Sequence, residues 1–477
     1  MTHKSARQHP LRIFSYMNKY FWLLSIPLVR GLYLLKFDFA TWARGAWLDI
    51  AVILLILTFA IIRWLQVSVI FNGDSITVRK GFIYHADMTV FYRDITSVRI
   101  EKKFFFRPIK ASGIHVDTNS GSRIKPDVLL LLKRQSVEDF LVDLKNFNKL
   151  AEVSYVYKPK RWQLVFFSFI FSNTLSGVIL VSTLINQGGN ILGKEIESKF
   201  LNQFNSMAQR ITSAIPPAGV ALASLILFGW LLSFSMNLLR YWRFSVKRCG
   251  DNIVVNNGFA TERMYFLTTS KINYTDFRQN LFTLIFKIFS VHVHCTGYGK
   301  EKRSVAVLIP ITTQYQATKT LDNLLMNFPH PRRIIKPDWT QLRRFVGFPL
   351  VYCFIVPVLA YIFISLFNGW MSLIIFASII FEIPFVWLLI VKAVSTFTTS
   401  IGLEEEVLTL KYSDRYSFHT VMLHVDKICM YEIRQTIFQR NSNNCDLFIY
   451  NNAEHTKFHR IRCLPYNETV EFLSNIK

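Results

Sequence analysis

With 477 residues, 51% hydrophobic and 15% aromatic, and a mean hydropathy of +0.27, the chain is too apolar for an ordinary soluble enzyme and long enough for more than one domain. Its 55 Lys and Arg against 31 Asp and Glu leave a net charge of +24, so apolar and basic parts must be segregated, with the basic parts beside anionic phosphate. The basic residues flank apolar stretches instead of forming an ordered reading element, which argues against nucleic acid and for anionic lipid.

In chain order, residues 1–19 form a basic cytosolic arm, and residues 20–65 read as a first transmembrane hairpin. Its helices are YFWLLSIPLVRGLYLLKF (20–37), interrupted by Pro27 and Arg30, and WLDIAVILLILTFAIIRWL (47–65). No small-residue cleavage site follows the opening segment, so it reads as a retained anchor. A polar block spans 66–155. A second hairpin, 163–239, has its helices at 163–185 and 218–239, joined by an outer loop, 187–217. In that loop Ile196, Phe200, Phe204, Met207 and Ile211 recur at helical spacing and predict a short interfacial helix. A second block occupies 240–329. A third hairpin, 345–394, comprises 345–367 and 370–394, and the last block is 395–477. Each apolar stretch is long enough to span a bilayer. Lys and Arg concentrate in the arm and the blocks, which predicts a multi-pass protein of the cytoplasmic membrane with both termini in the cytosol.

The blocks repeat. Placing residue 73 on 250 aligns the first two without a gap. Gly81 and Phe82 meet Gly258 and Phe259, Ile95 meets Ile272, Phe105 meets Phe282, and GIHVD (113–117) meets SVHVH (290–294). The third keeps its centre: KICMYEIRQTIFQ (427–439) sets Ile428, Arg434 and Gln435 on Ile272, Arg278 and Gln279. Asp414-Arg415 replaces its Gly turn, which predicts early strands set differently. SITVRKGFIY and NIVVNNGFAT read as strand, Gly turn, strand. SVEDFLVDLKNFNKL closes the first block as a helix with Ser136 as N-cap and Phe140, Leu144, Phe147 and Leu150 on one side. The expectation is an α+β membrane protein with six transmembrane helices in three hairpins. These alternate with three cytosolic β-sandwich or barrel modules, each closed by a C-terminal helix.

GDNIVVNNGF…TTSKINYTDFRQNLFTLIFKIFSVHVHCTG (250–297) resembles the bacterial pleckstrin-homology (PH) domain of YdbS- and YdbT-type membrane proteins. Three copies, each preceded by a hairpin, carry the resemblance over essentially the whole chain. It departs in the missing Gly of the third copy and in IEKKFFFRP, which replaces Arg-Gln in the first. The resemblance implies a non-enzymatic scaffold that binds protein partners or anionic membrane lipids at the cytoplasmic face. It also implies a smaller PH-domain membrane protein of the same family as partner, and a part in envelope stress or bacteriocin resistance. Inositol-lipid recognition is not implied, since no paired basic motif marks the Gly-turn strands.

Among candidate sites, no nucleophile elbow, phosphate-binding Gly loop or His-Glu-x-x-His occurs, so neither catalysis nor a cofactor is expected. Six scattered cysteines lack zinc spacing. Glu382, in the sixth span, is costly in lipid unless protonated, paired or facing water, and Arg30 lies at comparable depth. The two form a candidate polar pair, and an alternative reading makes them a transport or channel site. Lys102, Lys103, Phe104, Phe105, Phe106, Arg107 and Lys110 form a basic aromatic segment suited to the headgroup interface, with some Phe in the module core. Strand alternation puts His292 and His294 together on an outward polar face, not in a metal site. The spacing of His455 and His459 reads as incidental.

Overall fold

The computed structural model describes residues 4–17, 21, 28, 31, 38–81, 85–118, 126–147, 152–172, 177–179, 217–298, 306–325, 333–451 and 458–474. A strand, β1 (Lys4–Arg7), and helices α1 (Arg12–Tyr16), α2 (Phe39–Gly45) and α3 (Trp47–Leu65) come first. Strands β2 (Ser68–Asn72), β3 (Ser75–Lys80), β4 (Ala86–Phe91), β5 (Ile95–Lys103), β6 (Ala111–Thr118) and β7 (Val128–Lys133) follow, and helix α4 (Arg134–Phe147) ends the series. A similar succession opens with β8 (Val153–Tyr157), α5 (Arg161–Ile170) and α6 (Pro217–Tyr241). It continues through β9 (Ser245–Cys249), β10 (Asn252–Asn257), β11 (Thr261–Thr268), β12 (Ile272–Asn280), α7 (Leu281–Ile285), β13 (Ile288–Cys295), β14 (Val307–Thr313) and α8 (Gln314–Leu324). The last begins with β15 (Arg333–Ile335), α9 (Leu342–Leu366) and α10 (Met371–Thr398). Then come β16 (Ser400–Glu404), β17 (Val407–Asp414), β18 (Ser417–His424), β19 (Ile428–Arg434), α11 (Ile437–Asn441), β20 (Asn444–Asn451), β21 (Phe458–Pro465) and α12 (Tyr466–Ser474).

The chain divides into two compact units: 1–154 with 248–256 and 260–270, and 155–247 with 257–259 and 271–477. In the first, β1-β2-β3-β4 form one antiparallel sheet, and β7-β6-β5-β11-β10 run in order through a second. Alternate side chains of the two sheets fill one core with Val69, Phe71, Ile76, Val78, Ile114, Val116 and Leu130, as the period of two in a strand requires. Helix α4 plugs it: Phe140, fully buried, stacks on Phe71 at 5.8 Å and meets Tyr92 edge-on at 6.1 Å. The helix starts at Arg134, so Ser136 lies inside its first turn and is not the cap expected from the sequence. Phe147 is 39% exposed, and Leu150 lies outside the described residues.

In the second unit, β14-β13-β12-β18-β17-β16-β15 make one antiparallel sheet and β19-β20-β21 another. Ile401, Leu408, Leu410, Val421, Leu447, Ile461 and Phe472 fill the core between them. The early strands expected to differ, β16 to β18, pair in sequence as β2 to β4 do. Arg415, at φ 45°, turns the β17–β18 hairpin where Gly258 (φ 101°) and Gly81 (φ 131°) stand elsewhere. A single left-handed residue is tolerable without Gly in a tight hairpin, and so the strands survive the substitution.

Four described helices are long and apolar enough to cross a membrane: Trp47–Leu65, Leu222–Tyr241, and α9 and α10 with their leading turns, Trp339–Leu366 and Asn368–Thr398. At 1.5 Å per residue, the 19 residues of α3 reach about 28 Å, close to a hydrocarbon core. The expected span 20–37 lies outside the described residues apart from Phe21, Leu28 and Gly31, as does the outer loop up to residue 216. Of the expected span 163–185, α5 and residues 177–179 are described. There Gly177 faces Gly229 of α6 so closely that a Cβ on either would overlap the other's backbone or that of its neighbour.

Candidate functional site at the strand seams and exposed turns

Two strand pairings join segments far apart in sequence. β11 pairs with β5 from Thr261 opposite Lys103 to Leu267 opposite Ser97. β18 pairs with β12 from Ser417 opposite Asn280 to Met422 opposite Thr275. By the sequence alignment, Val98 answers to Thr275 and Phe266 to Met422, and each facing pair is met at the same step of its seam. The register is therefore identical.

Each seam is centred on a buried ion cluster, built from residues i and i+2 that share one strand face. On β12, Arg278 Nε lies 2.6 Å from Asp276 Oδ2, and His419 Nδ1 from β18 lies 3.0 Å from the same oxygen. Arg278 Nη2 also meets His294 Nε2 at 2.9 Å, and Tyr274 stacks on that imidazole at 4.3 Å. Burial alone would raise the Asp276 carboxyl, but the charges of His419 and Arg278 and the His419 hydrogen bond hold it well below the usual range. Burial, followed by the neighbouring Arg278 charge, keeps His292 far below an ordinary imidazole. His459 of β21 bonds Tyr412 at 2.8 Å and Asn451 at 3.0 Å, and burial pulls it down to about 4. The arrangement is a buried network whose charged members, Asp276, Arg278 and His419, satisfy one another, which offsets the cost of burying them, while His292 Nδ1 and Asn451 Oδ1 have no hydrogen-bond partner among the described residues.

On β5 the order is reversed, with Arg99 Nε 3.5 Å from Glu101 Oε1, and the seam partner Arg263 of β11 donating to Glu101 at 3.2 Å. His115 closes it, 2.8 Å from Arg99 Nη2. On β19 the counterpart is Glu432 with Arg434, bidentate at 2.7 and 2.8 Å, with Tyr450 donating to Glu432 at 3.0 Å. Here, among the described residues, no strand lies alongside on the outer edge.

The turn that follows each of these strands exposes apolar side chains. After β5 these are Phe104 (59% exposed), Phe105 (80%) and Ile109. After β12 they are Phe282, Ile285 and Phe286, and after β19 Ile437 (80%) and Phe438 (78%). The turns close on Lys110, Lys287 and Asn443, matching positions that all sit at φ near 50°. Asn280 and Thr436 cap α7 and α11 by accepting from the N–H groups of Thr283 and Gln439. Gln279 and Gln435 span the necks, donating to the carbonyls of Ile288 and Asn444 at 3.0 and 2.8 Å. Two turns touch apolar helices: Phe282 packs on Trp387 of α10 at 4.9 Å, and Arg344 of α9 donates to the Phe438 carbonyl and the Ser442 hydroxyl.

The sequence candidates fall as follows. Of the basic aromatic segment, Lys103, Phe104, Phe105 and Lys110 are exposed, while Lys102, Phe106 and Arg107 are half-buried, so none of the three Phe is a core residue. Arg107 reaches Glu262 at 3.4 Å. Gly258 donates its N–H to Trp242 and Phe259 to Leu239, which ties the Gly turn to the end of α6. In the third series Lys392 of α10 does that work, bonding the Ser413 carbonyl and hydroxyl at 3.1 and 2.9 Å. Ile95 is buried, and Ile272 and Ile428 are half-buried, at the strand starts. Phe82 and Arg30 lie outside the described residues. Glu382 is half-buried on α10 and is met by the Cys353 thiol of α9, while its Oε2 has no hydrogen-bond partner among the described residues.

His292 and His294 are not on an outward face. They are 0% and 7% exposed, because α5 covers that side of the sheet: Phe171 at its end meets His292 at 6.0 Å and Gln163 donates to the Ile311 carbonyl. Among the described residues no group of three or more His, Cys, Asp or Glu has metal-holding geometry.

Two antiparallel sheets around one core, plugged by a C-terminal helix, make the first unit a small β-sandwich. Residues 24–154 match the family model described as a bacterial PH domain. No curated protein matches the chain.

Proposed function

We propose that the chain is a six-span protein of the cytoplasmic membrane with three cytosolic PH-like modules, one after each hairpin, and that it acts as a non-enzymatic platform lying against the inner leaflet. The observation that carries the reading is the set of exposed apolar turns after β5, β12 and β19. Trp387, against which Phe282 packs, is the residue type that sits at headgroup level on a spanning helix. Lys102, Lys103, Arg107, Lys110, Lys287 and Arg440 surround the turns and favour anionic lipid by about 1 kcal/mol each near the surface. PH-type domains are binding modules, and the partner class that suits them is a smaller PH-domain membrane protein. The test is site-specific labelling of Phe105, Ile285 and Phe438, each replaced by Cys and carrying a polarity-sensitive dye, in proteoliposomes. Quenching by brominated lipid at all three positions is expected. Quenching by aqueous iodide alone overturns the reading.

A further inference from the structure

The two seams leave two strand edges unmatched. β5 and β12 take β11 and β18 as neighbours. Their sequence counterpart β19 stands at the edge of its sheet, and the counterpart of β11 and β18, namely β4, stands at the edge of the first sheet, with no further strand beside either among the described residues. Burial follows the pairing. β11 and β18 are buried or half-buried along almost their whole length, whereas five of the six residues of β4 are exposed. β12 is closed, while Met430 and Tyr431 of β19 are 51% and 44% exposed and Met88 and Phe91 of β4 are 36% and 43% exposed. A free edge presents unpaired N–H and C=O groups as a ready template for another strand.

We propose that β19 of one copy pairs antiparallel with β4 of a second copy, in the register already used twice within the chain. That register sets Met430 opposite Val90, Tyr431 opposite Thr89, Glu432 opposite Met88, Ile433 opposite Asp87 and Arg434 opposite Ala86. No like charges face each other, and the exposed apolar residues of both edges are covered. The contact is heterologous, a head on a tail, so it closes into a ring or runs on as a linear array. It continues the internal interface and does not depend on whether the turns touch lipid.

The test uses the full-length chain in native membranes, with Cys429 replaced by Ser and two differently tagged copies co-expressed. One carries Thr89→Cys and the other Tyr431→Cys, both at exposed positions. Oxidation is expected to join the two tags in a disulfide at least tenfold more efficiently than a control pair with Lys145→Cys on the exposed side of α4 in place of Thr89→Cys. With both cysteines on one chain it is expected to give a ladder of multiples. A yield equal to the control overturns the proposal, as does cross-linking confined to a different protein. Adding Phe91→Pro, at an exposed position with φ −78° whose N–H lies on the open edge, to the Thr89→Cys copy is expected to abolish the cross-link, and its persistence also overturns the proposal.

Discussion

His419 and Asp276, 143 residues apart, meet across a strand seam with Nδ1 3.0 Å from Oδ2. Removing that carboxylate strands Arg278, which is itself bound to it at 2.6 Å. Asp276→Asn is expected to destabilise the second unit by about 3–5 kcal/mol, the cost of an uncompensated buried charge. His419→Gln should cost less, and the double variant less than the sum, with a coupling of about 1–3 kcal/mol. Unfolding of the purified chain in detergent measures the cycle, and strict additivity would show that the two side chains are merely adjacent.

Acid sensitivity should begin well above the carboxylate range. His459, pulled down to about 4 by burial, stays neutral in the folded chain while the unfolded chain takes up a proton near pH 6.5. The unfolded state therefore binds more protons between those values, and stability falls as pH falls, by about 2 kcal/mol from pH 6.5 to 5. His292, also held low, adds in the same direction. Asp276, held below its ordinary value, loses its stabilising contribution only below about pH 4. His459→Gln should flatten the stability profile between pH 5 and 6.5, and an unchanged slope would refute the assignment.

Arg344 ties α11 to α9 through the Phe438 carbonyl and the Ser442 hydroxyl. Arg344→Ala should leave the melting temperature nearly unchanged and raise hydrogen exchange across residues 436–443 severalfold. Exchange equal to that of the parent chain would mean that the turn is held from elsewhere.

Gly177 and Gly229 leave no room for a side chain. Gly229→Leu is expected to separate the two helices, lowering thermal stability by several degrees, while Gly347→Leu, which faces open space on α9, should not. Equal effects of the two would deny the close helix contact.

Part of the first unit's core was legible in sequence because strand alternation and a closing apolar stripe are local signals, and Phe140 and Leu144 fall where that stripe puts them. His292 and His294 were misplaced for a definite reason. Alternation reports that two side chains share a face, but not that α5, more than a hundred residues earlier, covers it. IFQRNSNN (437–444) is less apolar than the turns after β5 and β12, yet its Ile437 and Phe438 are the most exposed pair of the three turns, since two residues at the tip of a capped turn suffice to present an apolar surface. The role of the recurring Arg-Gln was hidden as well: Arg278 and Arg434 hold acids two residues back, and the Gln residues brace turns. Strand seams were beyond reach, because a period of two names the inner face of a strand but not its neighbour.

The seam between β5 and β11 also sets a timetable. Lys103 waits for Thr261, whose codon lies 158 residues downstream, and at about 5–20 residues per second the ribosome takes roughly 8–30 seconds to deliver it. During that interval the nascent β5 has an open flank, and Leu222–Tyr241, long and apolar enough to cross a membrane, has still to be made. Birth of the protein thus includes a window in which a chaperone, or a neighbouring nascent chain on the same message, has first access to that edge.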